Sequence, residues 1–238
     1  MTALAIDRGE AAGSVLPWLV LAGAGAVGGY VLLRHRHGDD HDLAPAIAAA
    51  TAGDRPPPPP PGRWVLPVAR WYGRAAEISD RYGSPRVGGN RGGIHRGVDL
   101  MFRRRQRGEL TDRFPAHTPH TVGYFMPPDT LALAASDGTI WSAGWTPRGY
   151  TVVVSHGAPW ATYYTHLSAL RVGETRRGRS GERVVAGQPL GVIGADPKDA
   201  RGIAHLHFEM WFGGNGLAAI DPEAYVRRWP AIDAPEVA

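Results

Sequence analysis

The residues most able to do chemistry lie in Ala204-His205-Leu206-His207-Phe208-Glu209-Met210. Histidines at i and i+2 after a Gly-containing approach read as part of a short β-strand. Alternate side chains on a strand share a face, so both imidazoles point one way while Leu206 and Phe208 point into a core. Two adjacent imidazoles make sense if one binds a metal and the other handles protons beside it. A distant stretch, Gly92-Gly93-Ile94-His95-Arg96-Gly97-Val98-Asp99-Leu100, supplies a matching half. In an extended segment His95, Gly97 and Asp99 face one way, and Gly97 is expected to leave space for an ion. A helix would also converge i and i+4, but three glycines and Val98 argue against one. His95, Asp99 and one histidine of the 205/207 pair give three protein ligands and one open position, the ligand count of a catalytic zinc.

The motifs H-x-G-x-D at 95–99, Tyr163-Tyr164-Thr165-His166-Leu167 and His205-Leu206-His207-Phe208-Glu209 together resemble the lysostaphin/LytM-type zinc peptidases, which cut peptidoglycan cross-bridges. Asp80-Arg81-Tyr82-Gly83, Ala135-Ser136-Asp137-Gly138-Thr139-Ile140 and Gly187-Gln188-Pro189-Leu190-Gly191 match the same family, in order, and the resemblance spans roughly residues 63–229. It implies an antiparallel β-sandwich of the duplicated hybrid motif. It also implies one Zn2+ held by His95, Asp99 and His207, with His205 and His166 as catalytic, non-ligand histidines. Arg81 and Tyr163 are expected to contact substrate, and peptidoglycan is the expected partner. The alternative within the family is an inactive relative that binds wall or activates another hydrolase. A phosphocarrier of the same fold would use paired histidines but has no need of Asp99 beside His95.

The elements that must position these groups are legible in outline. The 238 residues suffice for one good-sized domain plus extras, and 32 Gly with 21 Pro favour a turn-rich β protein. With no cysteine, a metal must take imidazole and carboxylate ligands. The net charge of +4 is compatible with nucleic acid, an anionic wall polymer or neither, and without a nucleic-acid module or aromatic–basic stripe no nucleic-acid partner is expected. The spacing predicts strands over 131–135, 139–143, 151–155, 161–166, 184–186, 190–193 and 205–212. Trp64–Val68, interrupted by Pro67, reads as an edge strand. No amphipathic helical run of twelve residues follows residue 80, so the fold class is all-β and antiparallel. Residues 101–130, with Arg103, Arg104, Arg105 and Arg107, read as an inserted loop beside the first ligand motif. His156 reads as a turn or supporting histidine, and Glu209 either as support for His207 or as half of a cross-strand ion pair.

Outside the domain, 1–14 read as a tail. Val15 to Leu33 run without a charge, and at about 1.5 Å per residue such a helix is long enough to cross a bilayer core. The expectation is a single-pass membrane protein anchored by that helix, with the catalytic domain outside the cytoplasm, in the periplasm or at the cell surface. A cleaved signal peptide is the alternative. Arg34 and Arg36 after the segment point the other way under the positive-inside rule, a reversal compatible with a phage-associated origin. Residues 34–62 form a linker whose Pro56–Pro61 run is expected to be a stiff polyproline spacer. The catalytic domain is expected over 63–230 and a C-terminal tail over 231–238.

Overall fold

The computed structural model describes residues 57–85, 93–105, 123–176, 179, 181–213 and 218–235. The expected anchor at 15–33 and most of the linker lie outside the described residues. Among the described residues no helix is long and apolar enough to cross a membrane.

The strands in chain order are β1 (Glu77–Asp80), β2 (Val98–Arg103), β3 (Tyr124–Phe125), β4 (Leu131–Leu133), β5 (Gly138–Thr146), β6 (Gly149–Ser155), β7 (Trp160–Leu170), β8 (Arg183–Val184), β9 (Pro189–Ile193), β10 (Leu206–Phe212) and β11 (Ala219–Ile220). One short helix, α1 (Glu223–Val226), follows. All pairings are antiparallel, along the path β1-β2-β10-β7-β6-β5-β8. The all-β expectation holds, with a difference in detail: hydrogen bonding joins the strands into one branched sheet. The sheet branches at β2, β10 and β7, and the branch at β7 shapes the site. The first half of β7 pairs with β10 from Trp160 to Thr165, and its second half, Leu167 to Leu170, pairs with β9.

Local sequence explains the strands that frame the site. The β-branched run Thr151-Val152-Val153-Val154 lies within β6 and is buried between β5 and β7. In β10, Leu206, Phe208, Met210 and Phe212 are buried and belong to the core, whereas His207, Glu209 and Trp211 occupy the other face. Tyr164 of β7 meets Phe208 edge-on at 5.3 Å, locking the two central strands together from the core side.

Three expectations are corrected. Trp64–Val68 forms no strand. It makes single bridges, Trp64 to Ser136 and Val68 to Ala132, while Val65 and Leu66 are buried, because Pro67 offers only its carbonyl, which accepts from Leu133. The stretch from 101 is not loop throughout: Met101–Arg103 complete β2, and Tyr124–Phe125 return as β3 against it, with Phe102 and Phe125 both buried. Gly97 does not make room for an ion. A Cβ there would lie 2.3 Å from the Phe208 carbonyl oxygen, so glycine lets the chain press against β10.

Both ends of the domain are tied down. Pro57 O accepts from Tyr225 Oη at 2.6 Å, and Pro60 O from Trp64 Nε1 at 3.0 Å. Ile232 O accepts from the Arg70 amide.

Candidate metal centre

His95 and Asp99 arrive from one side of the β2–β10 ladder and His207 from the other. Asp99 and His207 are direct register partners across that ladder. His95 precedes β2 in a turn pinned at both ends: its amide donates to Ser84 O, and its carbonyl accepts from the Gly83 amide. His95 Nδ1 donates to the Arg81 carbonyl at 2.8 Å, which turns Nε2 toward Asp99 and His207. His95 Nε2 lies 2.8 Å from His207 Nδ1 and 3.0 Å from Asp99 Oδ1, and the last two atoms are 3.0 Å apart. Three donor atoms therefore converge on one point from a largely buried wall.

The donor set fits zinc. Two imidazoles and one carboxylate are an N/O set that Ca2+ and Mg2+ do not favour. Ligands at about 2.0–2.1 Å from a tetrahedral ion would be spaced about 3.3 Å apart, so opening the observed triangle by a few tenths of an ångström accommodates one.

The ring nitrogens are already sorted. Burial alone would lower the His207 pKa, but hydrogen bonds to Asp99 and Glu209 and their charges raise it to about 9. Burial would likewise raise the Asp99 carboxyl. The hydrogen bond from His207, with the charges of His205 and His207, holds it well below the usual carboxylate range. Metal-free, the centre is thus an imidazolium between two carboxylates. His207 Nε2 donates to Glu209 Oε1 at 3.0 Å, and Trp211 Nε1 donates to Glu209 Oε2 at 2.6 Å.

His166 and His205 complete the arrangement without joining the triangle. Their rings stand 4.6 Å apart, His166 lies 5.9 Å from His207 between ring centres, and His205 Nε2 is 3.9 Å from Asp99 Oδ2. His166 reaches this position through a bulge: between Tyr164 and Leu167, β7 carries one residue more than β6, and His166 takes a φ of 65°. Gly194 then links the pair, its amide donating to His166 O at 2.7 Å and its carbonyl accepting from the His205 amide at 3.0 Å. Each ring is anchored by Nδ1, His166 to Arg148 O and His205 to Ile203 O, both at 3.0 Å. Burial, with His205 and His207 nearby, pushes the His166 pKa down to about 3 despite Asp196, so its imidazole is neutral.

Of the remaining residues singled out, Tyr163 stacks on Trp211 at 5.2 Å and turns its edge toward His207 at 6.4 Å, on the metal face. Arg81 serves the centre by its backbone carbonyl; its side chain is exposed and pairs with Glu223 at 3.7 Å. His156 stands apart from the centre. Its Nδ1 donates to Asp137 O at 2.7 Å and its Nε2 lies 2.8 Å from Thr162 Oγ1. Sequence reasoning missed Arg148 and Ile203, whose backbone carbonyls leave no residue-type signal, and Gly194, where a Cβ would stand 2.9 Å from Ser168 Cβ.

The chain matches the model for peptidase family M23 over residues 118–222, which contain His166, His205 and His207. His95 and Asp99 precede the matched stretch. Similar solved structures include the catalytic domain of the antimicrobial peptidase lysostaphin from Staphylococcus simulans, 25% identical over 64% of this chain and 92% of that one at a TM-score of 0.46. LytU is 22% identical over 67% and 90%, with a TM-score of 0.45. The catalytic domain of a point mutant of the prophage-encoded M23 protein EnpA from Enterococcus faecalis is 20% identical over 66% and 96%, with a TM-score of 0.43.

Proposed function

We propose that this chain, which matches the model for peptidase family M23 over residues 118–222, is a zinc-dependent endopeptidase hydrolysing the peptide cross-bridges of bacterial peptidoglycan. The observation that carries the reading is the convergence of His95 Nε2, Asp99 Oδ1 and His207 Nδ1 beside two further imidazoles, His166 and His205. Bound by those three atoms, zinc would lower the pKa of a water to about 7 and polarise the scissile carbonyl.

The chain's own groups supply the rest. His166 and His205, each donating through Nδ1 to a backbone carbonyl, keep Nε2 for the site. Between them they take the proton of the attacking water, deliver it to the leaving amine and hydrogen-bond the developing oxyanion. Tyr163 and Trp211 form an aromatic wall against which substrate rests.

The proposal extends to place: a helix over 15–33 anchors the protein in the membrane, with the catalytic domain facing the wall. Replacing His205 by Ala tests the chemistry. The variant should bind zinc as the wild type does and release no soluble wall peptides. A His205→Ala protein as active as the wild type would exclude this assignment.

A further inference from the structure

Glu209 is a buried carboxylate with a ring N–H on each oxygen: His207 Nε2 on Oε1 at 3.0 Å and Trp211 Nε1 on Oε2 at 2.6 Å. Its place is built from three directions. The stack of Trp211 on Tyr163, tilted by only 14°, fixes the indole that donates to it. The backbone of β10 pairs Glu209 with Tyr163 and His207 with Thr165. Gly97 clears the approach, since a Cβ there would stand 2.9 Å from Glu209 Cγ.

We propose that Glu209, oriented by Trp211, is a positioning residue that fixes His207 with Nδ1 toward the metal. This role rests on the reading that His95, Asp99 and His207 hold zinc. An imidazole that ligates through Nδ1 must carry its proton on Nε2, and an acceptor there sets both the tautomer and the ring angle. A carboxylate accepts on both oxygens at once. A glutamine would accept on one and oppose its NH2 to the other ring N–H, so it serves Trp211 or His207 but not both. The geometry of residue 209 is therefore set by two ring donors, with the charge of Arg96 also favouring a carboxylate there, and the indole is as much a part of the metal site as the acid.

The test measures the zinc dissociation constant of the full chain by competition with a chromophoric chelator, for the wild type, E209Q, W211F and the double variant. E209Q should bind about 10–100-fold more weakly than the wild type, the usual cost of losing an outer-shell partner. W211F should lose less. The double variant should bind more tightly than E209Q, because with no indole N–H to oppose it the amide can turn its oxygen to His207. Destabilisation of the fold would make the two substitutions add, so recovery distinguishes positioning from structural support. E209Q binding zinc as tightly as the wild type, or a double variant no tighter than E209Q, would overturn the proposal. A wild type that takes up no zinc would instead remove the metal reading, and this role with it.

Discussion

Asp99 and His207 face each other as register partners across β2 and β10, with Oδ1 and Nδ1 3.0 Å apart. Residues 108 positions apart in the chain thus meet through one strand pairing, and the ladder sets their spacing. Asp99→Asn keeps the shape and removes the charge. Since loss of an outer-shell partner already costs about 10–100-fold in metal affinity, loss of this ligand charge should cost more. Chelator competition would show it, and an Asp99→Asn protein with wild-type zinc affinity would remove Asp99 from the ligand set.

Metal binding should be proton-linked. In the metal-free protein His207 is protonated up to about pH 9, while Asp99 is ionised far below that. Zinc must displace the His207 proton, so affinity should rise with pH until about 9 and then level. The metal-free fold should show the opposite trend. A pKa raised from 6.5 to about 9 gives stability that is full below 6.5 and is lost as pH rises through 9. Calorimetric titrations in buffers of different ionisation enthalpy would measure the released proton, and urea unfolding across the same window would measure the stability.

At His166 the backbone is left-handed, with a φ of 65°. Elsewhere a glycine is about 0.5–1 kcal/mol less stable than an alanine. Here the order should invert, because a Cβ in the left-handed region costs about 1–2 kcal/mol. His166→Gly should therefore unfold at a higher urea concentration than His166→Ala. Both should keep zinc and lose about 10²–10⁴-fold in activity.

His156 provides a contrast. It packs against Trp64, with ring centres 4.9 Å apart, and joins the Asp137 turn to Thr162. Burial pushes its pKa down, as for a structural imidazole. His156→Ala should destabilise the fold by about 1–3 kcal/mol while zinc stoichiometry stays unchanged, as read by urea unfolding and metal analysis. Loss of zinc with no loss of stability would contradict this placement.

Much of the centre was legible because strand periodicity and residue type coincide there. His205 and His207 at i and i+2, with Leu206 and Phe208 turned inward, needed only the two-residue repeat to be placed. Gly97 was noticed for the wrong reason: its value is contact with a strand more than a hundred residues away, which local sequence does not encode. The His166 bulge was invisible because nothing in Tyr163-Tyr164-Thr165-His166-Leu167 announces an extra residue relative to β6. Glu209 had two readings from sequence alone, and the structure bears on both: it accepts from His207 and Trp211, and the charge of Arg96 acts on it as well. The Trp64–Val68 segment failed as a strand where a proline rule already weakened it.

The most direct test incubates the full chain, loaded with one equivalent of zinc, with intact peptidoglycan, and analyses the soluble products by mass spectrometry. The account predicts released fragments with a new free amine at a peptide cross-link, absent when zinc is removed by chelation. A protein that holds its zinc yet releases nothing would contradict the endopeptidase reading.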